Sequence, residues 1–485
     1  MSVIASNHIA GKIYGKETNF RDDLKVLLLT SSLLVDRVFL HTDMLAALKE
    51  KSEVCVWATS ATNNGYSSLW NQTGVRVERF PEVRPFKEIP HNYLRRFNEF
   101  VWDYSCQPPS RLSMMRHVRD KSMSAGVKAL KAPAWLMARL GSEKFVENLL
   151  EPLLLAYPRS EEAVERLKKE RPTVLLTTGP FQFEQPAIFA AAKKLGIPVL
   201  AYIPSWDNIS TKNRMVYKYD GYIVWSEQTK NELHDFYPVS KNVPVYVCGA
   251  PQFDVFFQKK FYQSREEFFS KQGLNPNLPV ILYAVGSPNF LKEHHGAIHL
   301  AERVARGDLG DVQMLVRAHP IHDNAEMKEL FEKYGPRVKL QLSPNAGKNL
   351  VARSQDERQI VEWVNTFRHA DVVVNLSSTV AIDAAIFDVP VVNLDFDPQP
   401  GQADQNLIKD VNHLWTHFKP IAESGGLWLV NDYDEMVHAV KEYLKNPALH
   451  REKRKWIAEY VCGYLDGKCG ERMAEAILDF ADSRS

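Results

Sequence analysis

The stretch ADVVVNLSSTVAIDAAIFDVPVVNLD, residues 370–395, decides the fold. Asp371 to Asn375 is a short apolar run, rich in β-branched side chains and bounded by polar residues, and Val391 to Leu394 is a second. Runs this short and this apolar read as strands buried on both faces, and the segment between them reads as a helix carrying Asp383. Strand, helix and strand in that order form a parallel βαβ unit. A strand needs only a turn to leave a sheet, yet Asn375-Leu376-Ser377-Ser378-Thr379 sets hydroxyls at the start of the helix. Free backbone N–H groups and the helix dipole favour a phosphate at such a place. Asp383, one turn later, is spaced to accept hydrogen bonds from a ribose diol. The plainer alternative is a serine that caps a structural helix.

The same alternation extends in both directions. Leu24 to Thr30, Glu53 to Ala58, Pro172 to Thr177, Pro198 to Tyr202, Tyr222 to Trp225 and Pro244 to Cys248 read as strands, with helical spacing over Val38 to Lys49 and in PAIFAAAKKLG. After a helical, charged stretch around Phe256 to Lys271 the series restarts with Val280 to Val285, Gln313 to Arg317, Val338 to Leu342, Asp371 to Asn375, Val391 to Leu394 and Gly426 to Val430. The expectation is an α/β protein of two Rossmann-like domains facing each other across a cleft. Residues 1–253 form the N-terminal domain, with a helical insertion at about 91–165. Residues 254–450 form the C-terminal domain, and 451–485 a helical segment that packs back toward the N-terminal domain.

At 485 residues the chain is too long for one ordinary core. A net charge of +1 points away from nucleic-acid binding, and 45% hydrophobic with 25% charged residues suits a soluble globular protein. Five scattered cysteines without metal-ligand spacing read as free thiols in a reducing compartment. No run approaches the roughly 20 apolar residues of a membrane span. A cytoplasmic location follows as the expectation. Residues 91–140 carry nine Lys/Arg against three acids, interleaved with aromatics. Either this is a helical subdomain with a solvated basic face, or it serves as an acceptor platform or a peripheral contact with anionic membrane.

Ligands of doubly wound sheets bind beyond the carboxyl ends of the strands, so candidates are the residues leaving strands on that side. Besides Ser377, Ser378, Thr379 and Asp383, these are Arg317 and His319 in VRAHPIH, and Gly286 and Ser287 after VILYAV. A histidine just past a strand can donate to a phosphate or contact a base, although a lone one is more often structural. In the first half, YIPSWDNISTK supplies Ser205, Trp206, Asp207, Asn208 and Lys212. Asp207 is either a general base for an acceptor hydroxyl or an acid that only holds its turn. Glu184, and Asp36 in the loop Ser31 to Arg37, face the same edge as weaker candidates. Cys248-Gly249-Ala250-Pro251-Gln252-Phe253-Asp254 reads as the turn that leads into the hinge.

Taken in order, these segments resemble the GT-B glycosyltransferase superfamily, closest to the branch of CDP-glycerol glycerophosphotransferases and bacterial surface-polysaccharide transferases. Ser205-Trp206-Asp207-Asn208 with Lys212 stands where that branch often has Trp-His-Gly followed by Lys. Gly249-Ala250-Pro251 with Asp254, His319-Pro320, Asp371 through Ser377-Ser378, and Asp466-Gly467-Lys468-Cys469-Gly470-Glu471-Arg472 are similar to its remaining motifs. The resemblance implies that His319, Ser377 and Ser378 hold the donor's nucleotide and phosphates while the N-terminal half supplies acceptor and base. Asp207 in place of the branch's histidine favours a sugar over a glycerol-phosphate donor, and inversion at the anomeric carbon. The expected activity is transfer from a nucleotide-sugar to a hydroxyl of a glycan or lipid-linked acceptor. It needs no metal or other cofactor and no nucleic-acid partner. The alternatives are a glycerophosphotransferase, a non-hydrolysing UDP-sugar 2-epimerase, and a non-catalytic nucleotide-sugar-binding subunit.

Overall fold

The computed structural model describes residues 21–484 apart from positions 22, 63–65, 84–88, 157–159, 183–184, 216, 289 and 344–355. The first half builds β1 (Lys25–Thr30), β2 (Glu53–Ala58), β3 (Arg76–Arg79), β4 (Val174–Thr177), β5 (Val199–Tyr202), β6 (Gly221–Val224) and β7 (Val245–Val247). They form one sheet in the order β3-β2-β1-β4-β5-β6-β7, with every pairing parallel. The second half builds β8 (Val280–Ala284), β9 (Gln313–Arg317), β10 (Val338–Gln341), β11 (Val372–Asn375), β12 (Val391–Leu394) and β13 (Trp428–Val430). Their order is β10-β9-β8-β11-β12-β13, again parallel throughout. The order reverses between β1 and β4 and between β8 and β11, which opens a crevice at the carboxyl ends of each sheet. Strands β4, β5, β8, β11 and β12 are buried at every residue, because helices cover both faces.

Three local features depart from expectation. β3 (RVER) was not foreseen: it is a short outer strand, partly or fully exposed, and only Val77 in it is apolar. Ser31 to Arg37 is not a loop, since a helix already starts at Leu33 and runs to His41. The helical stretch expected over Val38 to Lys49 is two helices, Leu33–His41 and Met44–Lys49. Thr42 makes the break. Its hydroxyl donates to the Val38 carbonyl (2.6 Å) and accepts from the Met44 N–H (3.3 Å), closing one helix and opening the next.

The insertion is helical, with Ile89–Cys106, Pro109–Met114, a π turn at Met115–Arg119, Ala125–Ala129, Lys131–Arg139 and Glu143–Ala156. Its inner side (Phe100, Trp102, Met115, Val127, Val146, Leu150 and Leu154) shares one core with Leu175 and Val199 of the N-terminal sheet. The chain's end divides its contacts. In helix Arg451–Cys462 the fully buried Arg454 bonds Asp388 of the second half (3.0 and 2.7 Å). Helix Cys469–Asp482 lies on the first half, where Phe480 abuts Gly221 and Asp479 accepts from the Tyr246 hydroxyl (2.8 Å). Asp254 caps that last helix, its carboxylate accepting from the N–H groups of Cys469 (3.1 Å) and Gly470 (2.7 Å). Gly249 sits at φ +88°, and a side chain there would collide with Cys469 Sγ. Two of the motifs quoted above therefore meet as a clasp between the hinge and the chain's end.

Candidate active site

The loop leaving β5 lies against the second half. Asp207 Oδ1 accepts from Ser205 Oγ (2.5 Å) and Asn208 Nδ2 (3.1 Å), and Oδ2 accepts from Thr211 Oγ1 (3.1 Å). Burial pushes this carboxyl up. Lys212, His417 and the hydroxyls of Ser205 and Thr211 outweigh it and hold the group below the usual carboxylate range. Burial pulls the His417 imidazole down to about 4 against the pull of Asp207, so His417 is neutral at physiological pH. The charge on Asp207 is then held by Lys212 and the hydroxyls. Trp206 stacks edge-on against His417 (4.8 Å between ring centroids) and points Nε1 at Thr379 Oγ1 (3.5 Å); Ser210 Oγ lies 3.2 Å from His417 Nδ1. The loop is thus keyed into the C-terminal half at two places.

The insertion holds the same loop from behind. Arg119 donates to the Thr211 carbonyl (2.7 Å) and Arg111 to the Lys212 carbonyl. Arg111 is itself fixed by a two-pronged bond to Asp103 (2.5 and 2.8 Å), with both side chains buried. Two further contacts bind the insertion to the second half: Ser113 Oγ donates to Asp410 (2.7 Å), and Ser110 Oγ accepts from the Thr416 N–H (2.9 Å).

On the C-terminal side, Ser377 occupies the left-handed region at φ +36°. Its N–H donates to Asn393 Oδ1 (2.7 Å) and its hydroxyl to Asn412 Oδ1 (2.6 Å), while Asn393 Nδ2 donates to Ser377 Oγ (3.2 Å) and Asn412 Oδ1 (3.0 Å). Ser378 Oγ accepts from Asn375 Nδ2 (3.1 Å) and from the Val380 N–H (3.3 Å). Both hydroxyl oxygens thus shape the turn before helix Val380–Ile386, Ser377 as donor and acceptor and Ser378 as acceptor. Gly286 donates its N–H to Glu293 Oε2 (2.7 Å), and burial raises that carboxyl to about 8 against the bonds from Gly286, Leu376 and Tyr283. Ser287 lies beside it, its carbonyl accepting from Phe290 (2.9 Å) and Leu291 (3.2 Å). His319 Nδ1 accepts from the Ile321 N–H (3.3 Å), which stabilises the turn after β9. Burial raises Asp383 to about 7, opposed by Arg317, Arg37 and Trp363. Burial lowers Arg37 to about 10 and also lowers Arg317.

The structure brings Asp207, Trp206, Thr379 and the Ser377–Ser378 turn to one crevice. Asp36 is fully buried near the end of β1, bonded to Thr30 Oγ1 (2.6 Å) and raised to about 6 by burial. Glu184 lies outside the described residues. Sequence reasoning missed His417, Glu293, the Asn393–Asn412 pair and the Arg111–Asp103 pair. Asn393 had a signal, since it is a polar residue within an apolar strand, as Asn375 is at the end of its own. His417 and Arg111 had none, because their relevance comes from contacts about two hundred and about a hundred residues away in the chain. Among the described residues no group of three or more His, Cys, Asp or Glu is placed to hold a metal, and no helix is long and apolar enough to cross a membrane.

Comparison with solved structures shows the fold. S. aureus MnaA in complex with UDP superposes with a TM-score of 0.54 at 13% identity, over 95% of this chain and 97% of that one. A UDP-N-acetylglucosamine 2-epimerase described as putative, from Listeria monocytogenes, gives 0.53 at 14% identity with the same coverage. A search of curated proteins finds no sequence relative. The two facing Rossmann-like halves have the GT-B fold. The sequence matches the family described as CDP-glycerol:poly(glycerophosphate) glycerophosphotransferase over residues 185–479, a span that holds the β5 loop, the hinge, β9, the serine turn and the terminal clasp. With more than half of its length matched, the chain belongs to this family of transferases.

Proposed function

We propose that the protein transfers a sugar from a nucleotide-sugar to a hydroxyl of a glycan or lipid-linked acceptor, with the donor on the C-terminal half and Asp207 as the base. The observation that carries this reading is the β5 loop: it presents an ionised carboxylate and reaches the helix that follows the serine turn through Trp206 and Thr379. Asp207 is a weak base while four neighbours stabilise its charge. An acceptor hydroxyl that displaces Ser205 from Oδ1 takes the place of one of them and receives a short, directed contact. Inversion at the anomeric carbon follows if the acceptor attacks opposite the leaving diphosphate. Closing the crevice supplies alignment, worth on the order of 7–11 kcal/mol in favourable cases, and excludes water. The reading calls on no metal; backbone N–H groups and nearby cations stabilise the leaving phosphate.

Family membership favours a second reading, transfer of glycerol phosphate from a CDP-linked donor by the same crevice. Thermal shift with UDP, GDP, CMP and CDP identifies the base, since a ligand that binds only the native form raises the melting point. Turnover is then measured with the matching nucleotide-sugars and with CDP-glycerol. Turnover with CDP-glycerol alone discards the sugar donor. Conversion of UDP-GlcNAc without acceptor makes the protein an epimerase, and nucleotide binding without any turnover makes it a binding subunit.

The insertion supports a lipid-linked acceptor. Trp135, Leu136, Leu140, Phe145, Leu149 and Leu153 are all exposed, the last three along one stripe of helix Glu143–Ala156. Every exposed charge between residues 121 and 156 is positive, namely Lys121, Lys128, Arg139 and Lys144. The acids of that span are half-buried, and Glu147 and Glu151 face Lys218 (3.5 and 3.1 Å). Large apolar groups among cations suit the surface of an anionic bilayer.

A further inference from the structure

We propose that Arg37 and Arg317 form the two arms of a binding site for a phosphate-type oxyanion, the diphosphate of the donor, held between the two halves. This rests on the nucleotide-donor reading above and moves the main phosphate contacts away from the serine hydroxyls. Arg37 comes from the helix after β1, and Arg317 is the last residue of β9. Both line a cavity of about 160 Å³ with Leu34, Pro320, Ser343 and Trp363.

Three observations point to an anionic ligand. Arg37 and Asp383 are each more than nine-tenths buried, and Arg37 Nε, Arg317 Nη1 and Asp383 Oδ1 are buried without a hydrogen-bond partner. Asp383 is close enough to influence both guanidinium groups, yet no ion pair within 4.0 Å joins any two of the three among the described residues. Buried charges normally sit in direct pairs, because an unpaired one loses its hydration with nothing in return. Finally, Arg37 and Arg317 face Asp383, whose ionisation is itself suppressed by burial, and Glu362 acts on Arg317 alone from beyond ion-pair distance, so Arg37 is left under-compensated and the local balance suits an anion. Guanidinium groups are planar forks that match phosphate oxygens two at a time.

The arms are also preorganised. Arg37 lies 4.2 Å over the Trp363 ring and donates to Gln252 (3.2 Å), and Arg317 lies 5.6 Å over Phe367. Because one arm comes from each half, an oxyanion bound there would join the halves in the closed arrangement. The serine turn does not line this cavity, and its Ser377 hydroxyl already donates to Asn412.

The test is calorimetric titration of inorganic pyrophosphate, UDP, GDP, CMP and CDP into the full chain and into Arg37→Met, Arg317→Met and Asp383→Asn. Circular dichroism and melting temperature check that each variant is folded. Pyrophosphate binding is expected to weaken at least tenfold in either Arg→Met variant. It should strengthen several-fold in Asp383→Asn, which removes a competing negative charge and keeps the shape. A purely structural charge cluster would not give that gain. If an Arg→Met variant does not fold, Arg→Lys keeps the charge and loses the fork, and a threefold to tenfold loss is expected. Absence of pyrophosphate binding to the unsubstituted protein, or unchanged binding in a folded Arg37 or Arg317 variant, overturns the site. If UDP, GDP, CMP or CDP still binds in that case, the donor reading survives without it; if none of the four binds, both fall.

Discussion

A carboxylate in a protein interior keeps its charge only where its partners outweigh the loss of water, and the crevice holds examples of both outcomes. Asp207, with Lys212 and two hydroxyls, stays ionised; Glu293, with backbone N–H bonds and no cation among the causes of its shift, is raised to about 8. Asp207→Asn keeps the shape and the bonds accepted at Oδ1 but loses the acceptor facing Thr211 and cannot take a proton. It is expected to leave nucleotide affinity within about threefold while lowering kcat by roughly 10²–10⁴. Full turnover in Asp207→Asn removes the base assignment. Glu293 makes the opposite kind of prediction. Its folded pKa lies above the unfolded carboxylate value, so between about pH 4.5 and 8 the folded protein binds a proton that the unfolded chain does not. Stability attributable to this group therefore falls as pH rises through that window. Glu293→Gln should flatten that fall in denaturant midpoints measured from pH 5 to 8.5, and an unchanged slope would show that Glu293 is not buried as a neutral acid. The position of Asp207 was legible in the sequence because it follows an apolar strand at the carboxyl edge of the sheet. Its partners were not, since nothing local marks His417 or Arg111.

At the scale of elements, strands buried on both faces announced themselves as apolar runs, which is why both sheets could be read off the chain. β3 could not, because an edge strand needs no apolar run. The helix break at Thr42 was hidden as well, since a threonine inside a helical pattern does not reveal whether its hydroxyl will bond backward. The element of the proposed site most dependent on distant contacts is the β5 loop. Arg111 fixes it by binding the Lys212 carbonyl while paired to Asp103, and Arg111 and Asp103 are both buried. Removing one member of a buried pair typically costs about 3–5 kcal/mol because the other is stranded. Arg111→Met should lose stability on that scale in urea denaturation. Arg111→Lys restores the charge without the fork and should recover only part of it. If Arg111→Met leaves stability and turnover unchanged, the insertion does not hold the loop.

At the scale of the whole molecule, the insertion shows where composition misleads. The nine basic residues of 91–140 suggested one charged face, yet Arg95 and Arg111 are buried and Arg119 serves the β5 loop. What remains outside is a smaller, cleaner surface whose apolar half extends past residue 140 into helix Glu143–Ala156, beyond the biased stretch. Such a surface is open to protein or lipid, and the two differ in what they demand of the charges. A bilayer of anionic lipid attracts each nearby Lys or Arg by about 1 kcal/mol, an attraction that salt screens, whereas a protein partner needs shape as well. The protein is therefore expected to co-sediment with vesicles containing phosphatidylglycerol and not with phosphatidylcholine alone, with a blue shift of tryptophan emission as Trp135 leaves water. Lys144→Glu reverses one charge at the rim and should weaken binding by about tenfold or more, and raised salt should do the same to the unsubstituted protein. Leu149→Glu, in the middle of the apolar stripe, should abolish binding with little change in melting temperature, because that side chain is more than half exposed. Equal affinity for neutral and anionic vesicles, or insensitivity to Lys144→Glu, would separate this face from anionic lipid and return it to a protein partner.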